Sequence, residues 1–237
     1  PTPTPSSAAS DVYKRQRKFI AILLTITFLS GCMSNSVKES NEPEFFGEII
    51  EDSKTIEDFI LLTSENDTYN FKNRTEGKVV VIAFLFTNCY DICPVVTYNM
   101  RMMQESFNQT VLDSVEFITI TVDPWRDNVT TLHEWKTRTK SNWTHLTVND
   151  TESDSNEMKT LNAVWANFDV GFKIEENQSS TTSGRHHPGD YNVNHSTGTI
   201  LVDHLGNQRV WWGDFDWIVD LVTADVITLV NNIPENN

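Results

Sequence analysis

The run Lys78-Val79-Val80-Val81-Ile82-Ala83-Phe84-Leu85-Phe86 constrains the fold of this chain more than any other stretch. A strand with one wet face alternates apolar and polar residues, whereas a long run rich in β-branched residues and free of polar ones reads as a central strand covered on both faces. Directly after it comes Thr87-Asn88-Cys89-Tyr90-Asp91-Ile92-Cys93-Pro94, which places two thiols four residues apart at the strand's end. Pro94 suits the first turn of a following helix, whose pattern runs from Val95 to Phe107, and the unpaired N–H groups of a helix N-terminus lower a thiol's pKa. Both sulfurs are therefore candidates for thiolate chemistry. The alternative is two small core residues, since free Cys is among the most buried types.

Lys14, Arg15, Arg17 and Lys18 precede an apolar stretch from Phe19 to Leu29, which ends in Leu29-Ser30-Gly31-Cys32. That stretch is too short for a bilayer, which needs about 20 apolar residues, and the small residues before Cys32 suit a peptidase. The segment resembles a bacterial-type lipoprotein signal, which implies cleavage after Gly31 and lipidation of Cys32; an uncleaved membrane anchor is the alternative. The expected organisation is a non-native scar plus signal peptide over 1–31, a tether over 32–47, and one domain over 48–237. With Cys32 acylated, Cys89 and Cys93 are left of the three cysteines. They can pair with each other or share a metal.

Charge narrows the partners. The chain carries a formal −15, and because residues 1–31 hold four basic residues and one acidic, the remainder carries about −18. That argues against nucleic acid and anionic lipid headgroups. It fits a basic protein patch or a cation as partner, and equally a surface that serves solubility. Asn-x-Ser/Thr occurs at Asn66, Asn73, Asn108, Asn128, Asn142, Asn149, Asn177 and Asn194. In a chain so rich in Asn and Thr most such matches arise by chance, and glycans are expected only if the source glycosylates its surface proteins.

Phe59–Thr63 and Thr68–Phe71 flank Ser64-Glu65-Asn66-Asp67 and predict a β-hairpin ahead of the central strand. Val115–Val122 reads as the next strand, delivering Asp123-Pro124-Trp125-Arg126-Asp127 before a helix from about Val129 to Lys140. A short strand at Thr144–Val148, a helix at Asn156–Asn167 and an extended Val170–Ile174 follow, and then a polar loop is expected over Glu175–Asn192. The chain closes with a strand at Thr197–Asp203, a turn, a strand at Gln208–Trp212 and a helix from about Phe215 to Asn231, for which Asp214 is a credible cap. Alternating strands and helices with a terminal hairpin and helix predict an α/β, thioredoxin-like fold. It comprises a central mixed sheet flanked by helices, with an N-terminal β-hairpin extension.

Cu(I) is soft and low-coordinate, so two thiolates and one imidazole make a good trigonal site. Six histidines are available: His133, His145, His186, His187, His195 and His204. His195 precedes the strand Gly198–Asp203, and thioredoxin-like folds bring the loop before that strand against the active-site turn, so position favours it. Structural zinc wants four protein ligands, where three convene here.

Four features then resemble the Sco/SenC family of copper-handling proteins. They are Cys-x-x-x-Cys-Pro at Cys89–Pro94 with Asp91 inside it, Asp-Pro-x-x-Asp at Asp123–Asp127, a Tyr-x-x-x-His-Ser stretch from Tyr191 to Ser196, and an aliphatic strand ending in Asp203 with Gly206 shortly after. The resemblance spans about Phe59 to Ile227. It implies Cys89 and Cys93 as copper thiolates or a reversible disulfide, His195 as third ligand, and Asp91, Asp123 and Asp127 as supporting residues. It further implies Cu(I), with Cu(II) as a second state. The expected partners are the CuA-bearing subunit of cytochrome c oxidase and other copper chaperones or thiol reductants, with the lipid anchor holding the protein on the extracytoplasmic face of the cell membrane. Family members commonly have Pro where this chain has Tyr90. The sequence leaves two questions open. Asp123 before Pro124 is also what a helix start looks like, and Arg185-His186-His187-Pro188 is either a solvated loop or an auxiliary site that tunes Cu(II).

A thiol-disulfide oxidoreductase is the rival reading. Thioredoxins use Cys-x-x-Cys with a cis-proline beside it, and here the spacing is one residue longer while Pro188 lies seven residues before His195. A peroxiredoxin arrangement does not fit Thr87-Asn88-Cys89.

Overall fold

The computed structural model describes residues 44–176, 191–195 and 198–234. The lipoprotein signal, Cys32, the tether up to residue 43 and the segment holding Arg185, His186, His187 and Pro188 lie outside the described residues.

The apolar run becomes strand β4 (Val79–Leu85), buried at all seven positions. Successive strand residues point to opposite faces, so this burial requires cover on both. β4 pairs in parallel with β5 (Val115–Thr121), Val79 opposite Val115 and Leu85 opposite Thr121. On its other edge it pairs antiparallel with β9 (Gly198–Val202). Each Val or Ile taken out of water here stabilises the fold by about 1.5–3 kcal/mol.

The remaining strands extend this centre. β6 (Thr144–Thr147) runs parallel to β5, and the hairpin β2 (Ile60–Thr63) and β3 (Thr68–Asn70) joins antiparallel through β2 to β6. β10 (Gln208–Gly213) pairs with β9, and β1 (Glu48–Ile49) forms the opposite edge. The sheet order is β1-β10-β9-β4-β5-β6-β2-β3, mixed as expected, with the early hairpin as an added edge. A separate two-stranded sheet pairs β7 (Phe172–Glu176) with β8 (Tyr191–His195).

Helices α1 (Phe71–Thr75), α2 (Ile92–Ser106), α3 (Gln109–Asp113), α4 (Val129–Thr139), α5 (Asn156–Asn167) and α6 (Val219–Asn231) complete the described elements. Among the described residues no helix is long and apolar enough to cross a membrane. The segment just before β1 is held by Asp225 of α6, whose carboxylate accepts the N–H groups of Phe46 and Gly47 at 2.8 and 3.0 Å and the indole N–H of Trp212 at 3.0 Å.

Several boundaries differ from the sequence reading. α2 begins at Ile92, three residues before the expected Val95, so Pro94 falls at the third helical position, still within the first turn where a missing N–H is harmless. Asp123 does not cap α4. Asn128 does, its side chain accepting the Thr131 N–H at 3.0 Å, while the Asp123 carboxylate is engaged elsewhere. Asp214 does not cap α6 either, because that helix starts at Val219 with Ile218 at its N-cap, and Asp214 is buried beside the dithiol turn instead. Tyr191–His195, expected to belong partly to a loop, is a strand. Its two buried residues, Tyr191 and Val193, alternate with asparagines, too short a pattern to stand out in a polar segment.

Candidate metal and redox site

At the end of β4 the chain turns sharply and enters α2. The turn leaves Cys89 half-buried and Cys93 fully buried, both as free thiols. Asp91 occupies the N-cap position of α2 but makes no side-chain capping bond, and its carboxylate is exposed. The Cys89 sulfur takes over that task. It accepts the Cys93 N–H at 3.4 Å, and the N–H groups of Asp91 and Ile92 also favour its charged form.

The two thiols are unequal. A hydrogen bond from the Cys93 side chain is the largest influence on Cys89; with the helix N–H groups it outweighs desolvation and brings the Cys89 thiol down to about 5. The same bond, together with burial, pushes the Cys93 thiol far up, and the nearby charge of Asp214 adds to this despite an opposing N–H from Phe86. The pair therefore shares one proton near neutral pH, with the thiolate on Cys89 and the hydrogen on Cys93. Tyr90, the residue that departs from the family pattern, is 88% exposed and donates its hydroxyl to Asn88 Oδ1 at 3.0 Å.

Asp123 and Asp127 lie on the loop after β5, and both are fully buried. The Asp127 carboxylate accepts the Thr87 N–H at 3.1 and 3.2 Å, the Thr87 hydroxyl at 2.5 Å and the Thr121 hydroxyl at 2.7 Å. Burial pushes its pKa up to about 7, against the opposing pull of those donors and with the charge of Asp123 adding to the rise. Asp123 accepts the guanidinium of Arg126 and the hydroxyl of Tyr191. Sequence reasoning missed Thr87, Arg126 and Tyr191 as parts of this network. Arg126 and Tyr191 stood inside quoted motifs, but nothing in a linear pattern pairs residues 65 positions apart.

His195 closes β8, its backbone paired with Phe172; its side chain lies outside the described atoms. His145 is unsuited to ligation, being buried with Nδ1 2.6 Å from the Thr119 hydroxyl and Nε2 2.7 Å from that of Ser141. Among the described side chains no group of three His, Cys, Asp or Glu converges as a metal site. The described atoms thus supply two sulfur donors, a set suited to a soft ion and poor for a hard one.

The comparisons with known proteins agree with this picture of the fold. A family model described as SCO1/SenC matches residues 48–214. A SCO2-like protein of Rickettsia felis is 27% identical over 200 residues, covering 81% of this chain and 89% of that protein. Apo Sco1 of Thermus thermophilus aligns with a TM-score of 0.62 at 23% identity, over 78% of this chain and 97% of that one. ScoI of Bradyrhizobium japonicum with copper bound gives 0.60 at 19% identity, over 74% and 99%. A SCO1/SenC family lipoprotein from Bacillus anthracis gives 0.57 at 22%, over 74% and 94%. BsSco, described as having a disulfide switch and belonging to a family of cytochrome c oxidase assembly proteins, gives 0.55 at 18%, over 80% and 99%. At these identities the structural likeness speaks for the thioredoxin-like fold.

Proposed function

Because the chain belongs to the SCO1/SenC family, we propose that it is a membrane-anchored, extracytoplasmic Cu(I) metallochaperone that serves assembly of the CuA centre of cytochrome c oxidase. Copper is its cargo, held by Cys89, Cys93 and His195. The observation that carries this reading is the dithiol itself: two free sulfurs four residues apart, one of them held as a thiolate by the Cys93 thiol and by the N–H groups at the start of α2. Binding Cu(I) displaces the shared proton, so affinity rises with pH until both sulfurs are ionised. Lipidation of Cys32 would supply the anchor, in keeping with the lipoprotein neighbour. The recipient would be the CuA-bearing subunit, with other copper chaperones or thiol reductants as further partners, and Cu(II) as a second bound state.

The unequal thiols favour a second activity of the same residues, reduction of a partner's disulfide. The Cys89 thiolate would attack one sulfur of that bond and release the other as a thiol. Cys93, losing its proton, would then attack Cys89 in the mixed disulfide, leaving an intramolecular disulfide here and a dithiol on the partner, two electrons having moved. Metal delivery requires the reduced pair, so the two activities alternate on one site.

Anaerobic competition titration separates the readings. The chaperone binds one Cu(I) per reduced monomer, and Cys89→Ala, Cys93→Ala and His195→Ala each weaken binding. A plain oxidoreductase turns over a protein disulfide at a rate and potential that His195→Ala leaves unchanged.

A further inference from the structure

Polar contacts leave the two ends of one five-residue loop and reach both arms that carry the proposed ligands. At one end, Asp127 holds the N–H and hydroxyl of Thr87, two residues before Cys89. At the other, Asp123 accepts the Tyr191 hydroxyl at 2.5 Å, and Tyr191 opens the strand that ends at His195. Arg126, between the two aspartates, is bonded to the Asp123 carboxylate, donates through Nη1 to the Tyr191 carbonyl at 3.0 Å, and lies 3.9 Å from the centroid of the Tyr191 ring. Charge-assisted bonds and a cation–π contact shielded from water are among the stronger side-chain contacts.

The loop itself is braced. The Asp127 N–H donates to the Asp123 carbonyl at 2.9 Å, the Thr147 hydroxyl to the Asp127 carbonyl at 2.7 Å, and the Asp123 N–H to the Thr121 hydroxyl at 2.9 Å. By contrast, β7 and β8 pair with no strand of the main sheet among the described residues. Among the described residues no strand ladder ties them to the main sheet, and the contacts of Tyr191 with Asp123 and Arg126 do.

We propose that Asp123, Arg126 and Tyr191 form a clamp that positions the His195-bearing strand relative to the Cys89–Cys93 turn, and so decides whether the thiols acquire a third donor. This rests on the reading of His195 as a copper ligand. All three are positioning residues, acting through His195. A third donor held in place pre-organises a trigonal Cu(I) site, whereas a strand free to swing leaves the same thiols with two.

Tyr191→Phe removes the bond to Asp123 and keeps a ring over Arg126, and Asp123→Asn removes the charge that Arg126 pairs with. In the full protein, each is expected to weaken Cu(I) about tenfold by competition titration, equivalent to about 1.4 kcal/mol, and to have no effect in a His195→Ala background. Backbone hydrogen exchange over 172–176 and 191–195 should quicken while that of 219–231 stays the same. An equal loss of affinity with and without His195, or no loss at all, overturns the clamp while leaving the proposed function standing. If the parent protein binds no Cu(I), the functional reading has failed, and exchange alone decides: faster exchange over 191–195 in Tyr191→Phe upholds the clamp, and unchanged exchange overturns it.

Discussion

Thr87 donates both its backbone N–H and its hydroxyl to the buried carboxylate of Asp127, so the segment entering the dithiol turn is tied to the loop that follows the neighbouring strand. The sulfurs thus sit on a support that titrates in the physiological range.

Burial raises the Asp127 pKa to about 7, well above that of an unfolded aspartate. Folding therefore favours the protonated form, and this contribution to stability is full below about pH 4 and is lost as pH rises through 7. The stability of the parent relative to Asp127→Asn should fall between pH 5 and pH 8, by up to about 4 kcal/mol over the whole titration. Urea denaturation of both proteins at four pH values measures this. A difference independent of pH would contradict it.

His145 has the opposite sign. Desolvation, aided by the charge of Lys136, brings its pKa down to about 3, so the folded protein holds it neutral while the unfolded chain protonates below about pH 6.5. Its contribution is present above that pH and drains away as pH falls toward 3. His145→Ala, which leaves the Thr119 and Ser141 hydroxyls without their partner, should cost about 2–4 kcal/mol at pH 7.5. The deficit should shrink by about 2–3 kcal/mol at pH 4.5. A deficit that grows on acidification would show that the buried ring is charged.

Cys89 should alkylate with a rate that levels off well below neutrality, its midpoint near 5, while buried Cys93 reacts far more slowly. Iodoacetamide trapping followed by peptide mass spectrometry reads both sites at once. A Cys89 midpoint at or above about 8.5, the value of a free thiol, would mean that neither the Cys93 thiol nor the helix N–H groups stabilise its thiolate.

Cys32→Ser should move the protein from the membrane fraction to the soluble extracytoplasmic one without altering Cu(I) affinity. Continued sedimentation with membranes would point to the apolar stretch from Phe19 to Leu29 acting as an uncleaved anchor.

The sheet was legible in the sequence because its central strands announce themselves locally. Val79–Leu85 needs no partner to be recognised, and the early hairpin is marked by its polar turn. The dithiol turn was legible for the same reason, since its position between strand and helix is a local fact. Capping was less so: Asp123 and Asp214 both look like caps in one dimension, and both are buried beside the thiol end of the sheet. Their roles depend on Tyr191 and Cys93, which lie 68 and 121 positions from them along the chain. The β8 strand was obscured by Asn192 and Asn194, which leave two apolar residues to signal it.

X-ray absorption of the Cu(I)-loaded protein, compared with Cys93→Ala and His195→Ala, tests the central claim most directly. The account predicts a first shell of two sulfurs and one imidazole nitrogen in the parent, loss of the imidazole scattering in His195→Ala with both sulfurs retained, and loss of one sulfur in Cys93→Ala. A parent shell that His195→Ala leaves unaltered, or one without both sulfurs, would contradict it.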